Sequence, residues 1–261
     1  MSNPIPPDYP KGHNLLQNKT ILITAAAGGG IGYAAAKRCI EEGARVFISD
    51  LHQRRLSESA KNLSEIAGQD VGSCLCDVTN EEQVQNLFQN AIDNLGHIDI
   101  LINNAGLGHT ANLVDMTDDM WHRVIDVSLN GTFRATRAAL KHMIGRDSGV
   151  IINNASVLGW RAQAGQAHYA AAKAGVMAMT RCVALEAAPH NIRVNAVAPS
   201  LAMHPFLAKV TTETLLDDLK KKEAFKRAAE PWEVANVMVF LASDLSSYMT
   251  GEVVSVSSQH S

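Results

Sequence analysis

Tyr169-Ala170-Ala171-Ala172-Lys173 places a phenol and an amine four residues apart, in a run of small residues that reads as a helix over about 168–187. At that spacing both side chains leave one face of the helix. An ammonium one turn from a phenol favours the phenolate. The expected effect is a lowered tyrosine pKa and a hydroxyl that exchanges a proton near neutral pH. Tyrosine and lysine often fall four apart by chance, so the pair gains its weight from its surroundings. Ser156 lies thirteen residues upstream, just after the apolar run Val150-Ile151-Ile152-Asn153. A serine there stands at the carboxyl edge of a sheet, where α/β folds bind ligands.

Gly28-Gly29-Gly30-Ile31-Gly32 falls between a β-type run, Ile21-Leu22-Ile23-Thr24, and an Ala-rich helix through Ala34-Ala35-Ala36. Glycines at such a junction let the backbone turn sharply, and the helix N-terminus offers unpaired N–H groups to a pyrophosphate. Gly-rich loops are common; the strand before and the helix after make this one a candidate phosphate cradle. Asp50 ends the second strand, eighteen residues past Gly32. A carboxylate there accepts from adenosine ribose hydroxyls and repels the extra phosphate of NADP. Capping the helix that starts at Leu51 is its plainer role, and the two are compatible. Gly28 to Gly32 contains no basic residue, and Arg54 and Arg55 are expected on the outer turn of the next helix. NAD is therefore the expected cofactor, with NADP second.

These segments need elements to hold them. Strand-like runs at 21–24, 44–49, 71–76, 98–102, 150–153, 192–197 and near Val253 alternate with helical stretches. The helices after the first are expected at 51–67, 81–95, 118–143, 168–187 and 231–242. Such alternation implies parallel strands joined by right-handed crossovers. The expected fold is a single-domain α/β Rossmann fold, a doubly wound parallel sheet of about seven strands with helices on both faces. Residues 1–18, rich in proline and polar groups, are expected as an N-terminal arm and 19–261 as the domain. The polar segment 201–227 interrupts the rhythm.

The chain has 261 residues, 46% hydrophobic and 19% charged, with a formal net charge of -3. That balance fits a folded chain and argues against nucleic acid as a partner, since binding its backbone needs a basic surface. Cys39, Cys74, Cys76 and Cys182 lack the paired spacing of a zinc site and are expected as buried free thiols in a reducing cytoplasm. Met1-Ser2-Asn3-Pro4 has neither the basic start nor the apolar run of a signal peptide, and no stretch reads as a membrane span. His168 has no carboxylate or second histidine at ligand spacing, so no metal is expected.

Taken in order, the Gly-rich turn, Asn103-Asn104-Ala105-Gly106, Ser156 and the Tyr169–Lys173 pair resemble the short-chain dehydrogenase/reductase family over nearly the whole chain. The resemblance implies hydride transfer between a nicotinamide cofactor and a secondary alcohol or ketone. It assigns Tyr169 the proton exchanged with the substrate oxygen, Ser156 a hydrogen bond to that oxygen, and Lys173 the nicotinamide ribose. Asp77 and Val78 would flank the adenine, Asn104 and Gly106 would line the adenosine side, and the assembly would be a homotetramer. Several positions depart from the family pattern. Ala25, Ala26 and Ala27 stand where a glycine usually follows the threonine, and Ser128 replaces an asparagine that holds a relay water, with Asn130 as an alternative. Pro199-Ser200 replaces Pro-Gly, and His204 falls where a threonine usually meets the carboxamide.

The 201–227 segment sits where the family carries a flap over the substrate, and Met203, Phe206 and Leu207 suit a lid over an apolar ligand; an ordinary surface helix pair is the alternative. Trp160, Arg161 and Gln163 lie between Ser156 and Tyr169, where substrate walls are built. Packing at a subunit contact is the competing role for them. Lys220-Lys221-Lys222 is either a solvated face or a contact for coenzyme A phosphates. The segments 154–162 and 227–234 resemble bacterial dehydrogenases acting on a ring hydroxyl of the coenzyme A ester of the two-ring remnant of steroid breakdown. The alternatives are a 3-oxoacyl-thioester reductase and, from another class, a non-catalytic NAD-binding sensor.

Overall fold

Apolar side chains alternate between the two faces of every central strand. The computed structural model describes residues 5–203 and 213–258. In it β1 (Thr20–Ile23), β2 (Arg45–Asp50), β4 (Ile100–Asn103) and β5 (Gly149–Asn154) send Ile21, Ile23, Val46, Ile48, Ile100, Ile102 and Ile152 to one core. Their intervening neighbours Leu22, Phe47, Leu101 and Ile151 enter the other. A period of two with both faces apolar is what a strand covered by helices on each side requires.

Among the described residues the sheet has seven parallel strands in the order β3-β2-β1-β4-β5-β6-β7. β3 (Gly72–Leu75), β6 (Ile192–Pro199) and β7 (Val253–Val256) complete it. The order reverses direction between β1 and β4, so the carboxyl ends of those strands open a crevice there. On one face lie α1 (Ile31–Glu41), α2 (Gln53–Ala67) and α8 (Pro231–Ala242), through residues such as Ala35, Leu56 and Met238. On the other lie α3 (Glu81–Leu95), α5 (Gly131–Ile144) and α6 (Ala167–Ala187), through Leu87, Ala135 and Ala184. Local chemistry sets the helix ends. Asn80 accepts the Gln83 N–H at 3.0 Å, Gly68 closes α2 at φ 65°, and Glu230 and Glu233 form a capping box around Pro231 in the first turn of α8.

The single helix expected over 118–143 is instead α4 (Asp118–Ile125), a π-turn (Asp126–Asn130) and α5. The wide turn keeps a helical backbone, so the sequence periodicity passes through it unmarked, while Ser128 is turned fully inward. The 201–227 segment is pinned at its base, where Ala202 bridges Ala229 and the Met203 N–H donates to Ala229 O at 2.9 Å. It contains α7 (Glu213–Lys222). His204, Phe206 and Leu207 lie outside the described residues. Before β1, the His13 and Leu15 N–H groups donate to Glu42 Oε2 at 2.8 and 3.1 Å, and Leu16 is buried. Cys39 and Cys76 are buried, and desolvation pushes each thiol up to about 12. Two of the four depart from the expected burial: Cys74 is only half-buried on the edge strand β3, and Cys182 is exposed on the outward side of α6. Among the described residues no helix is long and apolar enough to cross a membrane.

Candidate active site

The Gly-rich turn leaves β1 with strain and ends in an open helix terminus. Ala25 adopts φ 50°, a left-handed conformation at the position where a glycine was expected, and Gly28 and Gly29 follow at φ 82° and 79°. Gly30 is the N-cap of α1; among the described residues no side chain caps that end, and a Cβ on Gly30 would meet nothing within 4 Å. Gly32 is the tight position: a Cβ there would fall 2.4 Å from Asn104 Nδ2 and 2.5 Å from Ala25 O. Open N–H groups at a helix N-terminus, with clear space before them, fit the pyrophosphate of a dinucleotide.

Asp50 faces this turn. Its Oδ2 accepts the Ala27 N–H at 3.2 Å and its Oδ1 the His52 N–H at 3.0 Å, so it braces both the turn and the start of α2. Burial pushes its carboxyl above the usual range, against the pull of the Ala27 N–H and Arg55. Arg54 points outward with Glu58, as expected, but Arg55 does not. Its Nη2 stands 3.7 Å from Asp50 Oδ1, and its Cδ is 3.4 Å from where a Gly28 Cβ would be. One residue along a helix rotates a side chain by about 100°, which is enough to bring Arg55 back over the turn. Ser59, one turn further along α2, accepts the Gly28 N–H on its Oγ at 3.1 Å. A serine inside a polar helix carries no sequence signal for that task.

Asp77 is partly committed to its own loop, its Oδ1 accepting the Thr79 N–H and hydroxyl at 2.9 and 2.8 Å. Val78 is buried against α5, where a Cβ on Gly131 would fall 2.6 Å from its Cγ2.

At the other end of the crevice Tyr169, Lys173 and Ser156 come together. Ser156 follows β5; its Oγ accepts the Leu158 N–H at 3.2 Å, and its hydroxyl lies near enough to the Tyr169 phenol to favour the phenolate. Burial pushes the Tyr169 phenol above its ordinary value, and the nearby Ser156 hydroxyl offsets only part of this. The expected lowering by Lys173 is therefore corrected: desolvation outweighs a charge lying 5.6 Å from the ring centroid. Burial also lowers Lys173, from 10.5 to about 8. Its Nζ donates to Asn154 O at 2.6 Å and passes Gly106, where a Cβ would be only 3.2 Å away.

Two loops close around the phenol. Gly108 lies against the Tyr169 ring, Gln166 Nε2 donates to Thr110 Oγ1 at 2.9 Å, and the Ala111 N–H donates to Gly165 O at 3.1 Å. His168 is buried edge-on to His109. Trp160 is half exposed, Arg161 donates to Ser257 Oγ at 3.4 Å, and Gln163 is exposed. Ser128 Oγ accepts the Leu107 N–H at 2.9 Å and donates to Leu107 O at 3.1 Å, so it clamps the loop after β4. Asn130 turns away and donates to Asp126. Among the described residues no cluster of three or more His, Cys, Asp or Glu could hold a metal.

Residues 25–258 match the family model described as enoyl-(acyl carrier protein) reductase. The chain is 57% identical to a Mycobacterium tuberculosis (5R,7aS)-5-hydroxy-7a-methyl-1-oxo-2,3,5,6,7,7a-hexahydro-1H-indene-carboxyl-CoA reductase, with 100% of each covered. A crystal structure of a short chain dehydrogenase from Mycobacterium smegmatis superposes with a TM-score of 0.87 at 53% identity, covering 98% of each chain. The chain belongs to the short-chain dehydrogenase/reductase family. More distant members include a 3-oxoacyl-(acyl-carrier-protein) reductase of Thermotoga maritima, 39% identical over 92% of this chain and 97% of the relative. An NAD+-bound xylitol dehydrogenase superposes at TM-score 0.87 with 31% identity, over 93% of this chain and 99% of that one. As a short-chain dehydrogenase/reductase, the protein is an oxidoreductase acting on a CH–OH group and uses a nicotinamide dinucleotide. Two of its departures from the family pattern take a definite shape here: Ala25 adopts a positive φ, and Ser128 sits in the π-turn.

Proposed function

We propose that this short-chain dehydrogenase/reductase interconverts a secondary ring alcohol and its ketone on a bicyclic coenzyme A ester, with NAD as cofactor. The observation that carries the reaction is the meeting of the Ser156 hydroxyl, the Tyr169 phenol and the buried Lys173 ammonium at the carboxyl edge of the sheet. Full-length identity to the indene-carboxyl-CoA reductase supports the substrate class, and the 3-oxoacyl-thioester reading rests on the more distant relative.

Gly30, Ile31 and Gly32 would hold the pyrophosphate through their N–H groups, with Gly28, its own N–H given to Ser59, shaping the turn beside them; Asp50 would hold the adenosine ribose, and Asp77, Val78, Asn104 and Gly106 the adenosine side. The bound dinucleotide supplies the hydride donor or acceptor. Every other task falls to this chain. The Tyr169 phenol, held protonated by burial, donates its proton to a ketone oxygen in the reducing direction and regains one from an alcohol in the other. Ser156 Oγ is fixed by the Leu158 N–H, and its hydroxyl proton, directed at the Tyr169 phenol, turns to the same substrate oxygen. Lys173 gives one of its three donors to Asn154 O and keeps two for ribose hydroxyls. The loops joined through Thr110–Gln166 and Ala111–Gly165 stand beside the phenol and fix the wall next to it.

Trp160 offers the apolar wall for a fused ring, with Arg161, Gln163 and His204 as its polar contacts. In this reading a 201–227 flap would cover it, and Lys220, Lys221 and Lys222 would meet the coenzyme A phosphates. A cytoplasmic homotetramer accompanies this reading, and sedimentation of the pure protein measures the assembly. The deciding experiment incubates the protein with NAD+ or NADP+ and a panel of cyclic alcohols, free and as coenzyme A esters, while nicotinamide absorbance is followed. Turnover of a bicyclic ester with NAD+ is expected. Tight NAD+ binding with no turnover of any alcohol would favour the sensor instead.

A further inference from the structure

Asn154, the last residue of β5, belongs to two parts of the site at once. Its main-chain oxygen accepts the Lys173 ammonium at 2.6 Å. Toward β6 it keeps a strand partner, Val197, but the β4–β5 ladder ends one residue earlier, at Asn103 and Asn153. Beyond that point side-chain amides carry the connection on. Asn154 Nδ2 donates to Asn104 Oδ1 at 2.9 Å, and Asn104 Nδ2 donates to Ala25 O at 2.9 Å. The orientations follow from the row itself: Ala25 offers a carbonyl, so Asn104 turns its nitrogen there and its oxygen to Asn154. Asn154 Oδ1 is left buried, with no hydrogen-bond partner among the described residues. Buried polar atoms are rarely left unpaired in folded chains, and the exceptions call for an explanation.

The neighbouring pair shows what a structural amide row looks like. Asn103 Nδ2 donates to Asn153 Oδ1 at 2.9 Å, but its outer partners are Thr136 on α5 and Thr180 on α6. That row pins the sheet to its helices. The Asn104–Asn154 row ends instead on the phosphate turn at one side and the ammonium's carbonyl at the other. Its Asn104 member is also wedged against Gly32 at the head of α1.

The geometry points to Asn154 as a positioning residue: through Asn104, its side chain sets the spacing between the Gly-rich turn and the Lys173 ammonium. A dinucleotide held at both ends binds well only if those two grips stand at one fixed distance, since a small misplacement of a binding group is expensive. This inference rests on the cofactor reading proposed above.

The test replaces the amide and keeps the carbonyl, in Asn154→Leu and in the isosteric Asn154→Asp. Dissociation constants for NAD+ and for ADP, which reaches only the turn, are measured by calorimetry across pH 6 to 10. Asn154→Leu is expected to weaken NAD+ about tenfold while ADP stays within about twofold. The upper pH limit of NAD+ binding should move down in Asn154→Leu, because a looser carbonyl stabilises the ammonium less. In Asn154→Asp it should move up, because a carboxylate is added close to the same charge. Equal weakening of ADP and NAD+, or an unmoved pH limit in both variants, overturns the assignment and leaves Asn154 a packing residue. If Asn154→Leu does not fold, the Asn154→Asp limit decides alone. Failure of the unaltered protein to bind NAD+ would strike the cofactor reading instead.

Discussion

Lys173 and Tyr169 share a face of α6, yet the ammonium bonds the Asn154 carbonyl at 2.6 Å and stands 5.6 Å from the phenol ring centroid. Its charge reaches the phenol only through space, while burial acts on both groups directly. Burial raises Tyr169 and lowers Lys173, so the two proton affinities move toward one another. A protonated phenol beside an ammonium that loses its proton near pH 8 is an arrangement set for proton donation at neutral pH.

The pH dependence follows with a definite sign. Lys173 titrates at about 8 in the folded chain against 10.5 for the free side chain. NAD+ affinity should therefore be flat below about pH 8 and fall above it as the ammonium is lost. For the ligand-free protein the effect on stability is opposite. Between about 8 and 10.5 the unfolded chain binds more protons at this site than the folded one, so this group's contribution to stability rises with pH. Lys173→Met should raise the melting temperature at pH 7 and flatten that rise. Thermal denaturation of both proteins from pH 7 to 10 measures it, and a lower melting temperature for the variant at pH 7 would contradict it.

Removing the phenolic oxygen should separate chemistry from binding. Tyr169→Phe is expected to cut kcat by about 1000-fold and leave the NAD+ dissociation constant within about threefold. Ser156→Ala should lose about 100-fold, since one hydrogen bond to the reacting oxygen goes while the proton donor stays. Steady-state rates with calorimetry check both. Near-normal turnover by Tyr169→Phe is incompatible with the proposed mechanism.

Asp50 and Arg55 make cofactor choice a matter of one carboxylate. With Arg55 Nη2 3.7 Å from Asp50 Oδ1, neutralising the acid leaves a guanidinium beside the adenosine ribose. Asp50→Asn should shift the NADP-to-NAD ratio of kcat/KM upward by about tenfold or more. Adding Arg55→Ala should reverse most of that gain. Equal rates with both cofactors in the unaltered protein would defeat the role given to Asp50.

Ala25 carries a conformational cost that glycine would relieve. At φ 50° its Cβ crowds the backbone. Ala25→Gly is expected to stabilise the fold by about 1 kcal/mol, with NAD+ affinity unchanged. Denaturant unfolding reads the first and calorimetry the second. A destabilised variant would mean that the Cβ contacts outweigh the strain.

The lysines of α7 test the handle of the substrate. Lys220 and Lys221 are paired with Asp217 and Asp218 at 3.4 and 3.2 Å on an exposed face, contacts that a bound phosphate would easily displace. Replacing Lys220, Lys221 and Lys222 with alanine should raise KM about tenfold for a coenzyme A ester and spare the free acid. Equal effects on both substrates would return these residues to plain solvated surface.

Much of this molecule could be read from local pattern alone. Period-two apolar runs alternating with helical stretches determined the doubly wound sheet, because an isoleucine ladder such as Ile21–Ile23 needs cover on both faces wherever it occurs. The i,i+4 spacing put Tyr169 and Lys173 on one helix face, and the glycines after β1 marked an open helix end. Other features arise only when distant segments meet. Asn154 finds Asn104 fifty positions away, Ser59 reaches Gly28 across thirty-one, and Arg55 folds back over Gly28 by the rotation of one helical step. The π-turn that swings Ser128 onto Leu107 leaves no mark on the helical period. The direction of the Tyr169 shift was likewise invisible in the spacing. Spacing records which charges are near, whereas the winning effect is desolvation, which is set by every chain segment that packs over the ring.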